Sequence, residues 1–133
     1  MRPLSDLDYA ALAAFRQDIR NFLGFSERAA AAAGITSQQY QTLLAIRAAP
    51  GGQLSVGDIA SSMLLQPHSA SGLLNRLEAG GMIERTRARD DRRRIEIRLA
   101  DRGRQLLLTL ASEHREELKR LRPMLEELTS RLG

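Results

Sequence analysis

LSVGDIASSMLLQPHSASGLLNRLEAGGMIER, residues 54–85, carries the signals of two short helices and of the strand that follows them. Ser55 stands three residues before Asp58, the reciprocal capping arrangement that starts a helix, and Ile59, Ala60 and Met63 supply its inner face. Residues 61–66 are expected to turn the chain. Pro67 suits the first position of the next helix, where its fixed φ is already helical and its missing N–H has no partner to lose. Ala70, Leu73, Leu74 and Leu77 then recur at helical spacing until Gly80-Gly81 stops the run. A short helix, a tight turn and a second short helix with a polar outer face make a helix-turn-helix.

Downstream, Met82 to Thr86 and Ile95 to Leu99 read as two strands of a hairpin. In the second, Ile95, Ile97 and Leu99 alternate with Glu96 and Arg98, the period of a half-buried strand. The segment RTRARDDRRRIEIR, residues 85–98, holds seven arginines against Asp90, Asp91 and Glu96, a local charge of +4. The whole chain of 133 residues also carries +4, from 20 basic and 16 acidic residues, so the remainder sums to zero. Charge focused on one hairpin tip favours contact with phosphates over general solubility. Lys119 is the sole lysine; the other basic residues are arginines, whose rigid fork of donors suits phosphate and guanine.

Upstream, Thr36 with Gln39 three residues later caps a helix bearing Tyr40, Leu43, Leu44 and Ile46, which Pro50-Gly51-Gly52 ends. Gln53-Leu54 is a candidate short strand. Residues 4–31 read as a longer helix striped with Leu4, Leu7, Ala11, Phe15, Ile19 and Phe22, with Pro3 at its start. From Asp101 the chain is helical to near Leu132. Ala111, His114, Leu118, Leu121, Leu125, Leu128 and Leu132 follow each other at alternating spacings of 3 and 4, a seam that packs against another helix. Pro123 is expected to kink that helix or to start a new segment.

The fold class is therefore mainly α with a small β-hairpin: a winged helix-turn-helix lobe over residues 36–99, flanked by long helices over 4–33 and 101–132. Both ends carry apolar stripes that so short a chain cannot cover alone, which predicts a homodimer built through Leu7, Ala11, Leu118, Leu121, Leu125, Leu128 and Leu132.

Double-stranded DNA is the expected partner. The second short helix would enter the major groove with Gln66, His68, Ser69, Ser71, Asn75 and Arg76 outward, Gln66 or Asn75 pairing with adenine and Arg76 with guanine or phosphate. Gly72 at mid-helix costs about 1 kcal/mol relative to alanine and calls for a close contact with a helix or with DNA. In the wing, Asp91 is expected to accept hydrogen bonds from loop amides or to fix Arg93, leaving Arg87, Arg89, Arg92 and Arg94 freer to meet DNA.

Several classes are excluded. Without cysteine there is no disulfide scaffold, thiol nucleophile or thiolate site. His68 and His114 lie 46 residues apart with no ligand spacing around them, so neither a metal nor another cofactor is expected. No paired carboxylates or nucleophile-base arrangement points to an enzyme. No apolar run spans a membrane and no leader pattern opens the sequence, so a cytoplasmic location is expected. Tyr9, Phe15, Phe22, Phe25 and Tyr40 are the only aromatics, which leaves the rest of the chain without a stacking platform for single strands. His114, on the seam, is expected to be a packed, hydrogen-bonded residue.

Taken together, GITSQQYQTLLAI (34–46), the stretch 54–85 and RARDDRRRIEIRLADRGRQLL (87–107) resemble the MarR family of bacterial transcriptional regulators. The resemblance implies an interlocked homodimer whose lobes meet the halves of a pseudo-palindromic operator, usually as a repressor. It implies that Asp91 and Arg93, in the place of the family's aspartate-x-arginine pair, stabilise the wing, with Arg93 also approaching the minor groove. It further implies a possible small aromatic or anionic effector in a cleft between the terminal helices and the lobe, where Phe15, Ile19, Phe22, Tyr40 and Leu44 are candidates that dimer-core packing would equally explain. The absent cysteines exclude thiol-based peroxide sensing. The competing assignment is a helical protein-interaction module or an architectural DNA-binding module without ligand response; the first leaves the basic hairpin unexplained.

Overall fold

A computed structural model describes residues 1–132. Helix α1 spans Asp6–Ala32, α2 spans Ser37–Ala48, strand β1 spans Gln53–Ser55, α3 spans Val56–Met63 and α4 spans Pro67–Ala79. Strands β2 (Ile83–Arg87) and β3 (Ile95–Leu99) follow, and α5 runs over Asp101–Leu132.

Local chemistry sets most of these boundaries. Ser5, Thr36 and Ser55 each cap a helix with a side-chain oxygen that accepts from the backbone N–H three residues on, while Asp8, Gln39 and Asp58 return a bond to the cap. The first of these boxes moves the start of α1 to Asp6 and leaves Pro3 outside the helix, against expectation. The Asp8 N–H finds a partner in the Ser5 hydroxyl and the Ser5 N–H one in the Asp8 carboxylate, which a start at Pro3 would not provide. Asp8 also pairs with Arg2 at 3.3 Å. The Ser5 N–H hydrogen bond, aided by Arg2, holds its carboxyl below the usual range.

Two other boundaries also differ from expectation. Helix α3 continues to Met63, so the turn is only residues 64–66, with Leu64 left-handed at φ 55°. Helix α5 continues through Pro123 as one helix, so no new segment starts there. Around that position Arg120 bonds Glu117 at 3.1 Å and Arg122 bonds Glu126 at 2.9 Å, side-chain links that span the turns on either side of the proline.

The sheet is antiparallel in the order β1-β3-β2. Leu54 faces Ile97 on one side of β3, and Arg85 faces Ile97 on the other. Leu43 and Ile46 of α2, Ile59 of α3, Leu73, Leu74 and Leu77 of α4 and Ile97 of β3 are fully buried together, with Leu107 and Leu110 of α5 joining from below. One glycine is essential to this union. A Cβ on Gly103 would lie 2.1 Å from the Met82 carbonyl oxygen, so only glycine lets the first turn of α5 sit against the start of the wing.

Helices α1 and α5 pack on each other and leave apolar surface exposed. Leu7 is 66% exposed and Leu118 48%, with Leu125 and Leu132 also open, while Ala11, Leu121 and Leu128 are half-buried.

Candidate nucleic-acid interface

The buried stripe of α4 (Ala70, Leu73, Leu74, Leu77) fixes which side faces out. His68, Gly72 and Asn75, spaced four and three apart, form the centre of the outer face, because positions at that spacing lie one above another on a helix. Gln66, Ser69 and Arg76 are exposed beside them and Ser71 is half-buried. Gln66 occupies the cap position without bonding through its side chain. A Cβ on Gly72 would meet only the Arg76 guanidinium, at 3.6 Å. No packing among the described residues requires glycine there, which removes the intrachain helix contact as its reason.

The wing is anchored by buried Ala88, whose N–H donates to the Arg94 carbonyl at 2.9 Å. Asp91 accepts from the Arg93 backbone N–H at 3.0 Å, so its carboxylate ties the turn of the wing and leaves the Arg93 guanidinium outward. The arginines divide differently from the expectation that left Arg87 and Arg94 free. Arg87 donates to the Arg92 carbonyl at 2.9 Å, and Arg94 pairs with Asp90 at 3.0 Å and Glu96 at 3.5 Å. Arg89, Arg92 and Arg93 have no side-chain acceptor among the described residues, and all three are exposed. Among the described residues they are the unpaired arginines of the wing tip.

Arg98 bonds Gln53 and lies 3.4 Å from the Gly51 carbonyl, which holds β1 to β3. Arg85, which sequence patterning leaves outside the site, crosses from β2 to α4. Its Nη2 donates to Asn75 Oδ1 at 2.6 Å, and its Nε lies 3.5 Å from Glu78 Oε1. Ten residues and a turn separate the two ends of that hydrogen bond, so no short motif announces it.

The five residues considered for an effector cleft do not converge. Tyr40 is buried and stacked on His114 with ring centroids 4.3 Å apart, and Phe22 meets the same imidazole edge-on at 5.9 Å. Burial raises the Tyr40 phenol above its ordinary pKa. Ile19 and Leu44 are exposed. Phe15 lines a cavity of about 300 Å³ between α1 and the far end of α5, beside Leu7, Ala11, Asp18, Met124 and Leu128.

His114 is 5% exposed and fully bonded. Its Nδ1 lies 2.7 Å from the Leu110 carbonyl, which can only accept, so in the neutral ring Nδ1–H donates there and Nε2 accepts from the Ser26 hydroxyl at 2.9 Å. This serine-histidine pair, 88 residues apart in sequence, escaped sequence patterning. Phe25 and Phe22 edge the ring and Tyr40 covers its face, so it ties α1, α2 and α5 together and offers no nucleophile to a substrate. No cluster of metal-binding side chains occurs among the described residues, and no helix among them is long and apolar enough to cross a membrane.

An exposed polar helix presented by a helix-turn-helix, beside a hairpin tipped with unpaired arginines, defines a winged helix-turn-helix DNA-binding protein. Comparison with known proteins makes the class specific. The MarR family profile matches residues 33–94. The HTH-type transcriptional regulator TtmR of Methylorubrum extorquens is 35% identical over 94% of this chain and 67% of its own length. The chain spans about half of two further matching regulators, 43% and 54%. Among solved structures, AbsC of Streptomyces coelicolor, a MarR family regulator, superposes with a TM-score of 0.71 at 20% identity, covering 98% of this chain and 99% of that one. A point mutant of MepR from S. aureus, bound to an oligodeoxyribonucleotide, gives 0.75 at 24% identity over 91% of this chain and 96% of that one. The chain belongs to the MarR family: it is a DNA-binding transcriptional regulator and not an enzyme.

Proposed function

We propose that the protein acts in the cytoplasm as a homodimeric repressor that reads a pseudo-palindromic operator. Helix α4 of each copy lies in the major groove, with Gln66, His68, Ser69, Ser71, Asn75 and Arg76 toward the bases and adjoining phosphates. Each wing brings Arg89, Arg92 and Arg93 to the neighbouring backbone and minor groove, with Asp91 holding its turn. The observation that carries this reading is the joint exposure of the α4 outer face and of wing arginines that no acid neutralises. Helices α1 and α5 of two copies interlock over Leu7, Ala11, Leu118, Leu121, Leu125, Leu128 and Leu132, which supplies the cover that one chain lacks.

An electrophoretic shift titration on the promoter beside its own gene tests the reading, with sedimentation of the free protein in parallel. A dimer that shifts this duplex in preference to random DNA is expected. A folded dimer that shifts neither at low salt overturns the DNA-binding assignment, and a stable monomer overturns the operator geometry. We extend the proposal to release by a small aromatic or anionic compound. The cavity beside Phe15 is large enough for one aromatic ring, its apolar wall is joined by Asp18, Glu127 and Arg131, and because Leu7, Ala11 and Leu128 also belong to the proposed interface the compound would sit at the dimer seam. Aromatic carboxylic acids added to the same titration should dissociate the complex.

A further inference from the structure

The contact between Arg85 and Asn75 decides what the reading helix can ask of a base. Asn75 is exposed on the outer stripe of α4 with His68 and Gly72, so it stands where base edges arrive. A free asparagine would pair with adenine through both ends of its amide, accepting from N6 and donating to N7. Here the carbonyl oxygen already gives one of its two lone pairs to Arg85 and is drawn toward β2, away from an arriving base. The Arg85 guanidinium carries only donors, so the Asn75 atom 2.6 Å from its Nη2 is the carbonyl oxygen whichever way an amide might otherwise be drawn. The short distance is that of a charge-assisted bond. Glu78 flanks the same guanidinium at 3.5 Å, and the Arg85 side chain is only 25% exposed, so the arginine is held between helix and strand.

We infer that Arg85 is a positioning residue that holds the Asn75 carbonyl and turns its NH₂ group outward, so that Asn75 meets a base through its donor, which favours guanine, where N7 and O6 both accept, or thymine O4 over adenine, whose N7 accepts but whose N6 amino group then lacks its acceptor. This rests on α4 being the reading helix. It gives the second strand a share in sequence preference, although Arg85 itself touches no base.

Selection from randomised duplexes, followed by titration of single-base variants of the chosen site, tests the inference. The wild type should favour guanine or thymine at one position per half-site. Asn75→Asp keeps an oxygen for Arg85 but removes the donor, so preference there should move about tenfold toward cytosine or adenine, which present an amino group. Arg85→Met frees the carbonyl and should admit adenine at the same position, while Arg85→Lys should retain the wild-type choice. A merely structural arginine would weaken binding to all sequences alike and leave that position unmoved. Adenine chosen by the wild type, or an unchanged preference in an Asn75→Asp protein that still binds, overturns the inference while leaving DNA binding intact. Failure of the wild type to bind any duplex at low salt removes the reading helix itself, and the inference falls with it. Asn75 is exposed, so its substitution tests the idea even if Arg85→Met fails to fold.

Discussion

Gly72 is the position where stability and DNA binding should move in opposite directions. A glycine inside a helix costs about 1 kcal/mol relative to alanine, because its backbone loses more freedom on folding. At most buried positions a substitution would set that gain against a clash. Here the added Cβ would meet only the flexible tip of Arg76 at 3.6 Å, an ordinary van der Waals distance. Nothing in the chain offsets the gain, so Gly72→Ala should raise stability by about 1 kcal/mol, or about 4 °C in Tm for a chain of this size. The same methyl group stands in the centre of the α4 outer face, between His68 and Asn75. If the duplex approaches the helix backbone there, the methyl group displaces it, and affinity should fall about tenfold for every 1.4 kcal/mol of lost contact. Calorimetric melting and a shift titration on one preparation read both effects. A variant that melts higher and binds as tightly as the wild type would refute the close approach. One that melts lower would refute the claim that the chain has no use for this glycine.

Changing Arg89, Arg92 and Arg93 together to alanine should weaken binding to all duplexes and flatten the dependence of log affinity on log salt by about 5, from six phosphate contacts in a dimer; titrations across a salt series give the slope, and an unchanged slope would place the phosphate contacts elsewhere. Gly103→Ala should destabilise by about 2 kcal/mol or more, since its Cβ must displace the Met82 carbonyl 2.1 Å away, and urea denaturation measures the loss. Leu121→Arg with Leu125→Arg should yield monomeric or unfolded protein with little affinity for DNA; a dimer surviving in sedimentation would move the interface off this seam.

What the sequence made legible was local. Thr36 with Gln39 and Ser55 with Asp58 announce helix starts because both partners sit within one turn, and the stripe from Ala70 to Leu77 orients α4 because period and burial share one cause. The Ser5 and Asp8 pair is equally local, yet Pro3 competed with it as a start signal. Ranking the wing arginines was out of reach, because Arg87 and Arg94 find their acceptors only once the hairpin has closed. Arg85 with Asn75, and Ser26 with His114, are contacts between elements that chain spacing does not reveal. The considered cleft residues share an apolar character that covers three environments: a stacked core ring, a cavity wall and open surface.

Strand β3 passes into α5 through the single residue Ala100, and Gly103 presses that junction onto Met82. The wing and the long helix are therefore packed directly on each other at the glycine. From Gly103 to Leu128 the helix is about 38 Å long, so a tilt of about 5° at the glycine moves its far end about 3 Å. In the dimer proposed above, that angle would enter the distance between the two reading helices, and successive major grooves on one face of DNA lie about 34 Å apart. Whatever wedges α1 from α5 near Leu128 would thus change the span of the two heads without touching a residue that meets DNA.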